Sequence, residues 1–180
     1  VRISRRTKLV ASAVAGLALT TLAAGPAPAA GDTTTTFTLT GDGLGVSAPV
    51  NALLDSVDIG LTGLAGQLGS ITVADNRGAL AAAWTATVSS TDFTTGAAGA
   101  HETIAKANVL YSSGLATASQ GLGVDVPTLV PVSLGTSQIA FAHTGVIGTQ
   151  SSSWNPTIQV SIPSDAVAGT YTGTITHSVA

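Results

Sequence analysis

The side chains able to do chemistry are few: three His, nine acidic residues, two Trp and two Tyr among 180 residues, with no Cys. His101, His143 and His177 lie far apart and show no His-Glu-x-x-His spacing, so no metal-binding helix face assembles from them. The chain has no Gly-x-Ser-x-Gly elbow and no glycine loop of the phosphate-cradling type. Glu102 is the sole glutamate. Asp55 and Asp58 have the residue type of paired carboxylates for glycoside hydrolysis, but a solvated pair on a short segment fits them better. Asp32 and Asp42 are hard oxygen ligands, yet no Asp-x-Asp-x-Asp-Gly loop gathers them around calcium. Without cysteine there is no zinc-thiolate centre, disulfide or thiol nucleophile. The inventory therefore predicts a protein that is not an enzyme, with no cofactor and no metal.

Six residues remain as candidates for binding a ligand: Asp75, Arg77, Trp84, Trp154, Tyr171 and His177. Each has a structural role open to it as well. Trp84 could stack on a sugar ring, but it is in phase with Ala86 and Val88, which points it into a core. The same phase argument applies to Trp154 with Ile158, Val160 and Ile162. His177 shares a face with Tyr171, Ile175 and Val179, where a buried neutral imidazole bonded to the backbone is the expected state. Asp75 and Arg77 flank a tight turn and are expected to form an ion pair.

Charge narrows the partners. Four of the six cationic residues, Arg2, Arg5, Arg6 and Lys8, fall in the first eight positions. They precede an apolar run from Leu9 to Ala24 and the small-residue stretch Gly25-Pro26-Ala27-Pro28-Ala29. That order is an export signal; Ala27 and Ala29 satisfy the small-residue requirement at −3 and −1, which places cleavage after Ala29. Sixteen residues is short for a bilayer span of about 20, which disfavours a retained anchor. Lys8 stands where a twin-arginine signal prefers a large apolar residue, which favours general secretion over the twin-arginine route. Residues 30–180 would then carry Arg77 and Lys106 against nine acids, a net charge of 2 − 9 = −7. Two cations cannot neutralise a row of phosphates, so no nucleic acid is expected as a partner, and no membrane after signal cleavage.

The elements that must position these side chains are strands. Thr (27), Ser (18) and Gly (21) are abundant while charged residues make up 8%, and the apolar residues alternate with the hydroxyl residues at period two. Phe37 and Leu39 alternate with Thr36, Thr38 and Thr40 and, through the turn Gly41-Asp42-Gly43, predict a hairpin with a strand from Leu44 to Ala48. Pro49 to Ser56 reads as a helical turn or a loop. Further strands are expected over Gly69–Ala74, ended by a turn at Asp75–Gly78, over Trp84–Val88, over Ile139–His143, around Ile158–Ile162, and over Tyr171–Val179 after a turn at Pro163–Gly169. Prolines confine Val126–Val132 to an edge or loop. Short strands at intervals of about 10 residues, parted by Gly and Pro, predict an all-β antiparallel β-sandwich, a single domain over 30–180.

Several of these segments resemble a known family. Gly69-Ser70-Ile71-Thr72-Val73-Ala74-Asp75-Asn76-Arg77-Gly78, Trp84-Thr85-Ala86-Thr87-Val88-Ser89 and Thr91-Asp92-Phe93 are similar to the first half of a WxL domain. Ser153-Trp154-Asn155-Pro156-Thr157-Ile158, Val160-Ser161-Ile162-Pro163 and Ala168-Gly169-Thr170-Tyr171-Thr172-Gly173-Thr174-Ile175-Thr176 are similar to its end. At the name-giving motif Ala86 stands where Leu is expected, and His177 and Val179 stand where Trp and Leu are expected. The resemblance implies a secreted Gram-positive surface protein held non-covalently at the cell wall by peptidoglycan or another wall polymer. Arg77 would then have a second use, holding a carboxylate of the wall peptide stem. The alternative is a structural or adhesive subunit that binds other secreted surface proteins through exposed strand edges.

Overall fold

The computed structural model describes residues 35–58 and 60–180; the export signal expected at 1–29 lies outside them. The compact unit Thr38–Ala180 is an all-β antiparallel sandwich. Its strands are β1 (Gly43–Ser47), β2 (Gly63–Gln67), β3 (Ile71–Ser90), β4 (Phe93–Thr94), β5 (Thr103–Ile104), β6 (Val109–Ser112), β7 (Ala116–Pro127), β8 (Val132–Ser133), β9 (Gln138–Trp154), β10 (Thr157–Ser161) and β11 (Ile175–Val179). One sheet runs β1-β3-β9-β7, with β11 also paired to β3; the second runs β2-β10-β6-β8, and β4 and β5 form a small ribbon.

The long strand β3 explains a puzzle in the sequence. Ile71, Val73 and Asp75 are buried at odd positions, whereas Trp84, Ala86 and Val88 are buried at even ones. One regular strand cannot do both, because successive side chains alternate faces. The pairing with β9 slips between Asp75 and Ala79 and again between Leu80 and Ala83, and these bulges reset the phase. Gly78 (φ 65°) takes the left-handed backbone that such an irregularity needs. The turn expected at Asp75–Gly78 is therefore a bulge inside one strand. Strand β9 makes the matching change: Phe141 and His143 point inward before Gly145 (φ 77°), and Val146, Gln150, Ser152 and Trp154 after it.

The expected hairpin from Phe37 to Ala48 does not form. Residues 35–42 carry no strand, and β1 pairs with β3 from Gly43 opposite Asn76. The chain enters β1 pressed against β3: a Cβ on Gly41 would lie 2.2 Å from the Asn76 carbonyl oxygen. That contact directs the segment along β3 instead of back on itself. Pro49–Ser56 is a loop. The last strand is shorter than expected, since Tyr171–Thr174 lies outside β11 and only Thr172 is bridged, to Thr94.

Aromatic rings fill the space between the sheets. Trp84 stacks on Phe141 (centroids 6.1 Å apart), and Phe141 on Trp154 (4.6 Å). Tyr111 of β6 and Ile158 and Val160 of β10 join them in the core. On the outer face of the first sheet, hydroxyls bridge the strands: Thr72 Oγ1 and Ser153 Oγ lie 2.8 Å apart, and Thr117 Oγ1 donates to the Ser153 carbonyl at 3.1 Å.

Candidate functional site

Asp75 and Arg77 form the expected ion pair. Asp75 is fully buried at the inward end of the first β3 segment, and Arg77 doubles back across the bulge to reach it. Its Nε and Nη2 donate to the two carboxylate oxygens at 2.9 and 2.7 Å, and its backbone N–H donates to Oδ1 at 3.1 Å. Nη2 also donates to the Ala83 carbonyl at 2.9 Å, which ties the two ends of the bulge together. These side-chain bonds hold the Asp75 carboxyl below the usual carboxylate range and raise the guanidinium above its own. A bidentate pair of this kind is strong and directional. With the fork taken up by Asp75, Arg77 serves the strand, and the clamp also fixes Asn76 between its two members.

Trp84 and Trp154 sit in the core, 2% and 0% exposed, and present no face to solvent. Their indole N–H groups are satisfied internally, as burial requires. Trp84 Nε1 donates to Gln150 Oε1 at 2.9 Å, and Trp154 Nε1 donates to the Tyr111 hydroxyl at 2.9 Å. That hydroxyl lies 3.2 Å from His177 Nε2, where a neutral imidazole accepts its proton. Burial holds the His177 ring down at about 4, so it is neutral across the physiological range, and burial likewise raises the Tyr111 phenol. His177 thus has a side-chain partner where the sequence suggested a backbone one. Tyr171 is half-buried away from these residues, its hydroxyl donating to the Val167 carbonyl at 2.9 Å. The six candidates therefore do not converge: Asp75 and Arg77 are together, Trp154 and His177 are together, Trp84 is bonded to Gln150, and Tyr171 stands apart.

A second polar cluster escaped the sequence reading. His143, Gln150 and Ser152 are buried on β9, and Asp125 reaches them from β7. His143 Nδ1 is 2.7 Å from Asp125 Oδ1, Ser152 Oγ donates to the same oxygen at 2.6 Å, and Gln150 bridges Ser152 to Trp84. Burial pushes the Asp125 carboxyl up, but hydrogen bonds from Ser152 and His143 outweigh it and its net shift is downward. A Ser, a His and an Asp in contact invite comparison with a nucleophile triad, and the wiring is different. The serine hydroxyl is bonded to the aspartate, and the far histidine nitrogen, Nε2, faces the Leu122 carbonyl at 3.3 Å, so no base addresses the hydroxyl. The cluster fastens β7 to β9. One signal for it was present: Gln150 and Ser152 hold the same parity as Trp154, which places polar side chains on the inward face.

The remaining acids do local work. Glu102 accepts from the Ala97 and Gly99 N–H groups at 3.0 and 2.9 Å, and Asp92 accepts from Lys106 N at 2.8 Å. His101 and Asp165 form an exposed pair at 2.9 Å. Asp55 and Asp58 are exposed on a loop. Among the described residues no group of three or more His, Asp or Glu gathers as a metal site.

The open site on the first sheet is a shallow groove of about 250 Å³ on its outer face, lined by Ala74, Asn76, Gln120, Gly121, Thr149, Gln150 and Ser151. It holds amides, hydroxyls and backbone and no formal charge. Gly121 makes it possible, because a Cβ there would meet the Thr149 carbonyl oxygen at 2.6 Å and push β7 off β9. The chain matches no family model, no curated protein and no solved structure among known proteins. The likeness to WxL domains therefore stands on the segments quoted above, and the groove must be judged by its own chemistry. Neutral donors and acceptors in a shallow groove suit a polyhydroxylated or amide-bearing polymer better than an ion.

Proposed function

We propose that this protein is a non-catalytic secreted surface protein that associates non-covalently with the Gram-positive cell wall, and that the outer groove of its first sheet contacts peptidoglycan. The observation that carries the reading is the chemistry of that groove: Asn76, Gln120, Thr149 and Ser151 offer hydrogen bonds of both signs to N-acetyl, hydroxyl and peptide groups. The resemblance of Gly69–Ala180 to WxL domains supports the same class of partner. The indoles of Trp84 and Trp154 are buried in the core and contribute by packing, Trp84 also by its bond to Gln150 of the groove, rather than by touching sugar. Sedimentation of the purified protein with isolated walls tests the reading. The triple substitution Asn76→Ala, Gln120→Ala and Thr149→Ala, all at exposed positions, should weaken co-sedimentation several-fold while leaving the far-UV spectrum unchanged; undiminished binding would exclude the groove.

A second reading, a subunit of a secreted surface assembly, is favoured by a different observation. Strand β7 is the outermost strand of its sheet and exposes Leu122, Val124 and Val126. An open edge with apolar side chains is a place for another strand to add.

A further inference from the structure

We infer that the β7 edge takes the segment Thr35–Thr40 of a second copy of this chain, so that copies join head to tail by strand addition. The inference deepens the assembly reading and does not depend on wall binding. Two features, each without a strand partner among the described residues, fit each other. The donor is Thr35-Thr36-Phe37-Thr38-Leu39-Thr40, a sequence with strict strand alternation that forms no strand, with Phe37 89% and Leu39 88% exposed. The acceptor is β7, whose outward side chains Leu122, Val124 and Val126 are also apolar at intervals of two. Their cross-strand partners Ile147, Thr144 and Ala142 place all three on the outer face of the sheet. Leu80, opposite Ile147 on β3, extends the apolar row at 82% exposure.

Edges are blunted by charges pointing outward or inward, by proline and by bulges. Strand β7 ends on Pro127 and its pairing with β9 slips between Gln120 and Leu122 and between Leu122 and Val124, so Val124–Val126 is the regular stretch open to an added strand. Here the one charged side chain in the exposed part of β7, Asp125, turns inward to His143 and Ser152, leaving the outward face neutral. An added strand would set Phe37 and Leu39 beside these apolar residues and turn the intervening threonines to the other face, burying on both sides what each molecule exposes alone.

The donor must come from another molecule. β1, which follows the segment, lies at the opposite side of the sheet order β1-β3-β9-β7. With strands about 4.8 Å apart, the slot beyond β7 is about 19 Å from β1. The two residues between Thr40 and Gly43 reach at most about 11 Å. The donor of one copy and the edge of the same copy therefore cannot meet, so the pairing is between copies.

The test measures the mass of the naturally processed protein in solution by light scattering over a range of concentrations. Wild type should self-associate, and more strongly as salt screens its net negative charge. A deletion of Thr35–Thr40 removes the donor, and Val124→Lys with Val126→Lys blocks the acceptor; each should be monomeric. Mixed together they should form a 1:1 dimer and stop there, because one variant keeps the edge and the other keeps the strand. Should the lysine variant not fold, Phe37→Lys with Leu39→Lys blocks the donor at positions outside the core, and on its own it should be monomeric. A wild type that is monomeric at every concentration, association that survives the deletion, or a mixture that stays monomeric would each overturn the proposal. The broader assembly reading falls separately, if an edge-blocked protein still co-purifies with the same secreted proteins as wild type.

Discussion

Asp75 and Arg77 show how much a single pair decides in a chain with so few charges. A fully buried carboxylate is tolerable only while its counter-charge and hydrogen bonds are in place, and removing one partner of such a pair costs about 3–5 kcal/mol. Arg77→Ala should therefore lower the unfolding free energy measured in urea by about 3 kcal/mol, the low end of that range, since Arg77 is one-third exposed and water can partly replace it. Arg77→Lys should fall between, keeping the charge and losing the fork and the bond to Ala83. His177 makes a pH prediction of definite sign. Its folded value of about 4 lies below the ordinary 6.5, so between those values the unfolded chain binds the extra proton. The stability it contributes is complete above about pH 6.5 and is lost as pH falls toward 4, by about 2–3 kcal/mol. Urea titrations from pH 7 to 4 should show that decline, and His177→Gln should flatten it; an unchanged slope would mean another group carries the dependence. Asp75 adds a further loss only at lower pH, as its depressed carboxyl takes up a proton.

Among the elements, β3 and β9 carry the sandwich, and their bulges determine what faces where. The sequence displayed the strands but divided them, because a phase change looks like a turn when Asp-Asn-Arg-Gly occupies it. Strand β7 was hidden for another reason: its Gly121 and Gly123 break the alternation, and its apolar residues face out. The first glycine lets β7 approach β9, and the second leaves room for His143, whose Nε2 would stand 2.2 Å from an added Cβ. Gly123 also holds φ at 130°, where an L side chain is strained. Gly123→Ala should destabilise by more than 1 kcal/mol, roughly the cost of the backbone conformation alone, and hydrogen exchange should show β7 loosening before β3. At the other edge two of the three positions that differ from the WxL pattern form one packing unit, since Ala86 lies directly opposite Val179 on β11. Ala86 is completely buried. Introducing the expected leucine there should overpack the interface and lower the melting temperature, at about 1–3 kcal/mol, unless Val179 is reduced at the same time.

For the molecule as a whole, the sandwich was legible because period two with hydroxyl residues on the outer face leaves few alternatives. Which residues meet outside the core was not, because that depends on strand order, and β1-β3-β9-β7 joins segments that lie far apart in the chain. Composition pointed to a hydroxyl-rich surface with few charges, and the groove between β3, β9 and β7 is an uncharged part of it. In the proposed function this groove holds wall polymer through uncharged hydrogen bonds. The most direct measurement is co-sedimentation of the purified protein with isolated Gram-positive walls across a range of salt concentrations. Binding should weaken only modestly as salt rises and fall several-fold when Asn76, Gln120 and Thr149 are replaced by alanine; a folded protein that stays in the supernatant at every salt concentration does not bind wall, and the proposed function then fails.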